Sequence, residues 1–98
     1  MSSFYVQTLS NNSETAITNV DVNFRSLTFT NTHTASVTMS LYVKDSSGTS
    51  FYFLKDVVLP NGVTLKLEND EFTYDKVNYT LYAISNHASG KIDITKRF

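Results

Sequence analysis

The 98-residue chain has no cysteine and no tryptophan, a single proline and only three glycines. Without cysteine, disulfides and thiolate metal sites are excluded. That points to a reducing folding compartment, or to a chain that gains stability from its neighbours. The glycines stand far apart, at Gly48, Gly62 and Gly90, which excludes a glycine-rich phosphate loop. The two histidines, His33 and His87, fall in turn-like segments with no acidic residue at ligand spacing. They therefore offer no zinc set of three or four ligands. Eight basic residues against nine acidic ones give a net charge of −1, and no run of like charge forms a basic face for nucleic acid. No segment approaches the roughly 18 consecutive apolar residues of a membrane-spanning helix. The start, Met1-Ser2-Ser3-Phe4-Tyr5, lacks a basic region followed by an apolar run, so no signal peptide and no secretion are expected.

What is present leans one way. Ser, Thr and Asn supply 34 residues, and Phe and Tyr supply 13. Thr, Val, Tyr and Phe suit a pleated, half-buried surface, while Ser, Asn and Gly suit turns. Ala, Glu and Leu, the helix formers, are sparse. The length is that of one domain, residues 1–98, and a chain of this size buries only about two-thirds of its unfolded surface.

Hydrophobic periodicity places the strands. Phe4 to Leu9 reads as a first strand, ended by Ser10-Asn11-Asn12-Ser13. Thr15 to Val22 reads as a short or edge strand. Asn23 to Thr30 alternates, with Arg25, Leu27 and Phe29 on one side and Phe24, Ser26, Thr28 and Thr30 on the other. Ser36 to Lys44 alternates most clearly. Val37, Met39, Leu41 and Val43 face one way, and Ser36, Thr38, Ser40, Tyr42 and Lys44 the other, predicting one buried and one wet face. Asp45-Ser46-Ser47-Gly48-Thr49 predicts a hairpin loop returning as Ser50 to Leu54.

The centre of the chain is "DVVLPNGVTLKLE", Asp56 to Glu68. Pro60 lacks a backbone donor and cannot occupy a central ladder, so one strand ends near Leu59. Asn61-Gly62 tolerates left-handed backbone, and a new strand starts at Val63 with Val63, Leu65 and Leu67 toward the core. Such a break is either a crossing between two sheets or a hairpin tip. Phe72 and Tyr74, in the following connection, are expected to cap the core. Asn78 to Ile84 and Lys91 to Phe98 are the last strands, with Tyr79, Leu81 and Ala83, then Ile92 and Ile94, facing inward. Seven or eight short strands at this spacing predict an all-β sandwich or small barrel.

The chemistry-bearing residues are few. Asp70, Glu71 and Asp75 form the one acidic cluster, with neither the glycine nor the spacing of a calcium loop. No serine stands in a nucleophile motif beside a base. The expectation is therefore a protein that is not an enzyme, with no catalytic, metal or cofactor site. The aromatics carry more. Phe51, Tyr52 and Phe53 are consecutive, so at least one faces outward. Exposed aromatic rings stack on sugars or bases, or fill protein contacts.

Asp75-Lys76-Val77-Asn78-Tyr79-Thr80-Leu81 resembles the tyrosine corner of immunoglobulin-like domains, with Tyr79 in the role of the corner tyrosine. No Cys pair or Trp accompanies it. The longer run from Phe29 to Ile84 resembles small virion proteins of tailed bacteriophages. Its shared pattern is a strand ending in Asn31-Thr32-His33, the Val37-Thr38-Met39-Ser40-Leu41-Tyr42 strand, a short glycine hairpin, and Leu59-Pro60-Asn61-Gly62-Val63-Thr64-Leu65. The resemblance implies an immunoglobulin-like β-sandwich of seven to eight antiparallel strands. It also implies a structural virion protein, most readily a capsid decoration or cement protein located on the virion and made in the host cytoplasm. Its partners would be the major capsid protein or other virion proteins, with many copies or a homo-oligomer, and neither nucleic acid nor membrane. The contact residues expected from their position at the chain ends are Phe4, Tyr5, Lys96, Arg97 and Phe98. The alternative is a carbohydrate- or host-surface-binding module of a tail or fibre, which predicts an aromatic patch around Tyr42 and Tyr52.

Overall fold

A computed structural model describes residues 4–9, 11–17, 25–68, 74–75, 77–88 and 91–97, with the side chain of Phe4 left aside. Asp70, Glu71, Phe72 and Phe98 lie outside the described residues. Among the described residues eight strands follow one another: β1 (Phe4–Leu9), β2 (Thr15–Ala16), β3 (Ser26–Asn31), β4 (Val37–Lys44), β5 (Ser50–Leu59), β6 (Thr64–Glu68), β7 (Thr80–Ser85) and β8 (Ile92–Arg97). They form two four-stranded antiparallel sheets, β1-β8-β3-β6 and β2-β7-β4-β5.

The all-β sandwich read from the sequence is therefore present. Its strand order refines the expected immunoglobulin-like label. An immunoglobulin constant domain groups its strands as A-B-E-D and C-F-G. Here each sheet interleaves early and late strands, the order of a jelly roll. The pairing is nested around one turn. Val43 faces Phe51, Phe29 faces Leu65, Ala16 faces Tyr82 and Tyr5 faces Lys96. The chain is one long folded-back ribbon, rolled so that its two halves alternate within each sheet. Such nesting depends on long-range pairing that local patterns do not carry.

The turn at the middle of that ribbon is built by Asp45. Its carboxylate accepts the backbone N–H groups of Ser47 and Thr49, each at 3.0 Å, and the Ser47 hydroxyl at 2.7 Å. These donors, the Ser47 hydroxyl foremost, hold the Asp45 carboxyl below its ordinary value. Gly48 supplies the left-handed backbone, φ +89°, that closes the turn.

The core lies between the sheets. Leu9, Leu27, Phe29, Ile92 and Ile94 from one sheet meet Val37, Met39, Leu41, Leu59, Leu81 and Ala83 from the other. Every one of these falls on the inward phase of a period-2 strand. The Pro-Asn-Gly break is a crossing between sheets, since β5 belongs to one sheet and β6 to the other. Gly62 takes φ +76°, and the Val63 N–H closes a turn on the Pro60 carbonyl.

One buried side chain fixes that crossing. Asn31 closes β3, and its Nδ2 donates to the carbonyls of Leu59 (2.8 Å) and Ala35 (2.9 Å). Its Oδ1 accepts the His33 N–H at 2.8 Å. Its backbone N–H donates to Val63, and its carbonyl accepts the Gly62 N–H. Asn31 thus grips both sides of the crossover and the turn that leads into β4.

Three local expectations are corrected. Val63 is exposed, because the Pro60–Val63 turn lifts it off the core before β6 begins. The stretch read as ending at Leu54 is continuous with the strand expected to end near Leu59, and β5 absorbs two register irregularities opposite Met39 to Tyr42. Ser40 and Tyr42, on the expected wet face of β4, are buried, for reasons given below. Tyr79 packs edge-on to Phe51, and its bond to Asp75 runs from its backbone N–H.

Candidate functional site

The outward face of the β2-β7-β4-β5 sheet carries a cluster of polar and aromatic groups. On β4 this face presents Thr38, Ser40, Tyr42 and Lys44 by simple alternation. The register sets Tyr42 directly opposite Tyr52 of β5 and Tyr82 of β7. Three tyrosines therefore form a row across three strands, with ring centroids 4.9 Å apart for Tyr42–Tyr52 and 6.0 Å for Tyr42–Tyr82. Lysines flank it. Lys55 Nζ lies 5.2 Å from the Tyr52 ring centre, and Lys44 Nζ lies 5.5 Å from that of Tyr82.

This row explains why Tyr42 is only 4% exposed on a face expected to be wet. The neighbouring rings cover its sides, and Glu14, just before β2, covers its end. The Tyr42 hydroxyl donates to Glu14 Oε1. Lys44 Nζ donates to both oxygens of the same carboxylate at 3.2 Å. Burial first, then donation to Glu14, pushes the Tyr42 phenol far above its ordinary value. The Tyr42 hydrogen bond, with Lys44 behind it, holds Glu14 below its ordinary value. The phenol stays protonated and the carboxylate ionised, so the pair provides a fixed, polar, aromatic surface.

One residue pair further along β4 and β7, about 7 Å at the usual strand rise, the same face sinks into a cleft of about 350 Å³. Asn12, Thr38, Ser40, Asp56, Ile84 and Asn86 line it. Asn86 holds its rim, accepting the Thr38 N–H at 3.0 Å through its side chain and donating its own N–H to the Thr38 carbonyl at 2.9 Å. Asp56 stands at the irregular stretch of β5 with φ +53°, a left-handed conformation that Asp tolerates better than most residues. The bulge is fastened by the Asp56 N–H, which donates to Ser40 Oγ at 2.9 Å. Among the described residues no side chain bonds the Asp56 carboxylate.

The residues singled out at the chain ends come together elsewhere. β1 and β8 are neighbours, with Phe4 opposite Arg97 and Tyr5 opposite Lys96. The two ends share one corner of the other sheet. Tyr5 and Arg97 are exposed there. Lys96 is not an exposed contact residue: it is 0% exposed and donates to Gln7 Oε1 at 2.7 Å. It follows Ile92 and Ile94 on the inward phase of β8, and burial lowers the pKa of its ammonium.

The histidines, far apart in sequence, meet with ring centroids 4.2 Å apart. Desolvation, then His33 and Lys91, lowers the pKa of His87. Among the described residues no group of three or more His, Cys, Asp or Glu assembles as for a metal ion. Tyr82 and Asp56 were missed by the sequence reading. Tyr82 had a signal, since Tyr79, Leu81 and Ala83 facing inward leave it outward. Asp56 had none, because its position depends on the bulge.

No protein-family model matches the chain, and no curated protein matches it. Among solved structures it is similar to the "Anabaena sensory rhodopsin transducer", at 10% identity and a TM-score of 0.48, over 97% of this chain and 93% of that one. A likeness at that level carries no argument about function.

Proposed function

We propose that the protein is a non-enzymatic structural component of a tailed-phage virion, most readily a capsid decoration or cement protein that works through protein–protein contacts. The observation that carries this reading is the state of two strand edges. Successive strand residues point to opposite faces. On β1, Tyr5 is 47% and Val6 60% exposed; on β5, Phe51 is 50% and Tyr52 48% exposed. At both places successive side chains are about half exposed, and among the described residues each strand stands at the end of its sheet.

Long open edges with apolar side chains invite pairing with another chain. β1 ends one sheet and β5 ends the other. Gln7 joins β1 to β2 through the Ala16 carbonyl, while the short turn after Leu59 joins β5 to β6, so the two edges lie at opposite ends of the sandwich. A protein with an adhesive edge at each end bridges neighbours on a lattice. The phage-like pattern from Phe29 to Ile84 supports the same setting.

The test is light scattering of the purified protein, alone and with capsids stripped of it. Saturable rebinding that is lost in a Tyr5→Ser, Val6→Ser double variant is the expected result. A protein that ignores the shells overturns the reading. A second reading, recognition of a surface glycan, is favoured by the tyrosine row and its cleft.

A further inference from the structure

We infer that the outward face of the β2-β7-β4-β5 sheet is a saccharide-binding site, with the Thr38–Ser40–Asp56–Asn86 cleft taking the hydroxyl groups of a sugar and the Tyr52 ring, in the tyrosine row one step along the same face, taking a C–H face. This inference deepens the second reading above and is independent of the virion role.

The chemistry of the lining selects the ligand. Thr38, Ser40 and Ser85 bring hydroxyls, Asn12 and Asn86 bring amides, and Asp56 brings a carboxylate, with Met39 and Ile84 as the apolar part of the lining. Ser40 Oγ already accepts from the Asp56 N–H, which leaves its own proton free to be donated. A ligand for this set must both donate and accept at closely spaced positions, as vicinal hydroxyls do. A phosphate is disfavoured, because Asp56 stands in the cleft and Glu14 one row away. An apolar ligand would strip water from the floor without replacing its hydrogen bonds. The cleft volume of about 350 Å³ falls at the small end of ordinary ligand sites.

Two further observations point the same way. Bulges beside binding sites re-aim one side chain, and here the bulge holds the Asp56 backbone at φ +53° where Asp56 lines the cleft. Tyr52 is half exposed and is backed by Tyr42, so its ring is held in place before a ligand arrives. Aromatic rings fixed in this way carry large contact area at small entropic cost.

The experiment is a backbone amide NMR titration of the full chain with glucose, cellotetraose, maltotetraose, chitotetraose and oligothymidylate. Expected are saturable shifts, with at least one of the sugars, that centre on Ser40, Tyr52, Asp56 and Asn86. Asp56→Gly suits the left-handed backbone and keeps the N–H bond to Ser40. It should weaken binding by about tenfold or more while leaving the thermal midpoint close to that of the parent. Tyr52→Ala should weaken binding similarly, and Tyr5→Ala, on the other sheet, should not. Affinity that rises from monosaccharide to tetraose marks a polymer as the natural source; equal affinity marks a free sugar. The inference is overturned by the absence of saturable shifts with any sugar, by shifts that survive both Asp56→Gly and Tyr52→Ala, or by shifts with oligothymidylate alone. Shell rebinding is read separately, so either proposal can fail without the other.

Discussion

Replacing Asn31 with alanine should be among the most damaging polar substitutions in this protein. The side chain is buried and makes three hydrogen bonds to backbone groups, to Leu59 and Ala35 as donor and from His33 as acceptor. The Leu59 carbonyl lies in the interior, so leaving it without a donor costs about 1–3 kcal/mol. Ala35 and His33 sit in a partly wetted turn, and losing those bonds costs about 0.5–1 kcal/mol each. The total, about 2–5 kcal/mol, is a large share of the roughly 5–15 kcal/mol that holds a domain of this size together. Thermal unfolding followed by circular dichroism should show the midpoint falling by roughly 10–25 °C. Thr32→Ala, which removes an exposed hydroxyl bond to the Lys91 carbonyl, is the control and should shift stability by less than about 0.5 kcal/mol. Asn31→Asp keeps the acceptor for His33 but turns an oxygen toward two carbonyls. Its carboxyl should titrate above the unfolded value of about 3.9, so the variant should lose stability as pH rises through that range. A loss below about 1 kcal/mol for Asn31→Ala would refute the idea that this residue fastens the crossover.

Gly62→Ala should cost about 1–2 kcal/mol from left-handed backbone strain alone, because no atom lies within 4 Å of where its Cβ would stand; Gly62→Asn should cost less, and urea midpoints measure both. Because Glu14 is held below its ordinary value by Tyr42 and Lys44, its contribution is present above the unfolded carboxyl value and is lost as pH falls through the folded one. Tyr42→Phe should therefore weaken the dependence of stability on pH in the acid limb, as read by unfolding monitored with circular dichroism. Lys96 carries the opposite sign. Its folded pKa is depressed by burial, so the unfolded chain holds more protons in the alkaline window and stability should rise with pH toward the unfolded value of about 10.4. Lys96→Met should abolish that rise, measured as urea midpoints at a series of pH values.

Much of the strand pattern was legible because alternation is a local property. Val37 to Val43 could be placed inward without knowledge of their partners, and Pro60 announced the end of a strand by its missing donor. Lys96 was equally legible by phase, two residues beyond Ile94, but its charge argued for the surface. The structure reconciles the two by supplying Gln7 from the neighbouring strand. Asn31 read as an ordinary turn residue because its partners Leu59 and Gly62 arrive from the far half of the chain. The tyrosine row was half visible: Tyr42 and Tyr52 follow from the hairpin, whereas Tyr82 joins them only through the β4–β7 register. Asp56 depends on a bulge, and the jelly-roll order on pairings between residues as distant as Phe4 and Arg97.

Because the strand pairs nest around the Asp45–Thr49 turn, folding can run as a zipper from the middle of the chain outward. Closing β4 onto β5 needs only a short loop. That step brings β3 near β6, which brings β2 near β7, so each later pairing closes a far smaller loop than its sequence separation suggests. Opening runs in reverse, and the outermost pair frays first. β1 is then the last strand to join and the first to peel away. It also stands at the end of its sheet among the described residues, with Val6 exposed, so any partner that covers it clamps the end at which the ribbon would start to unroll.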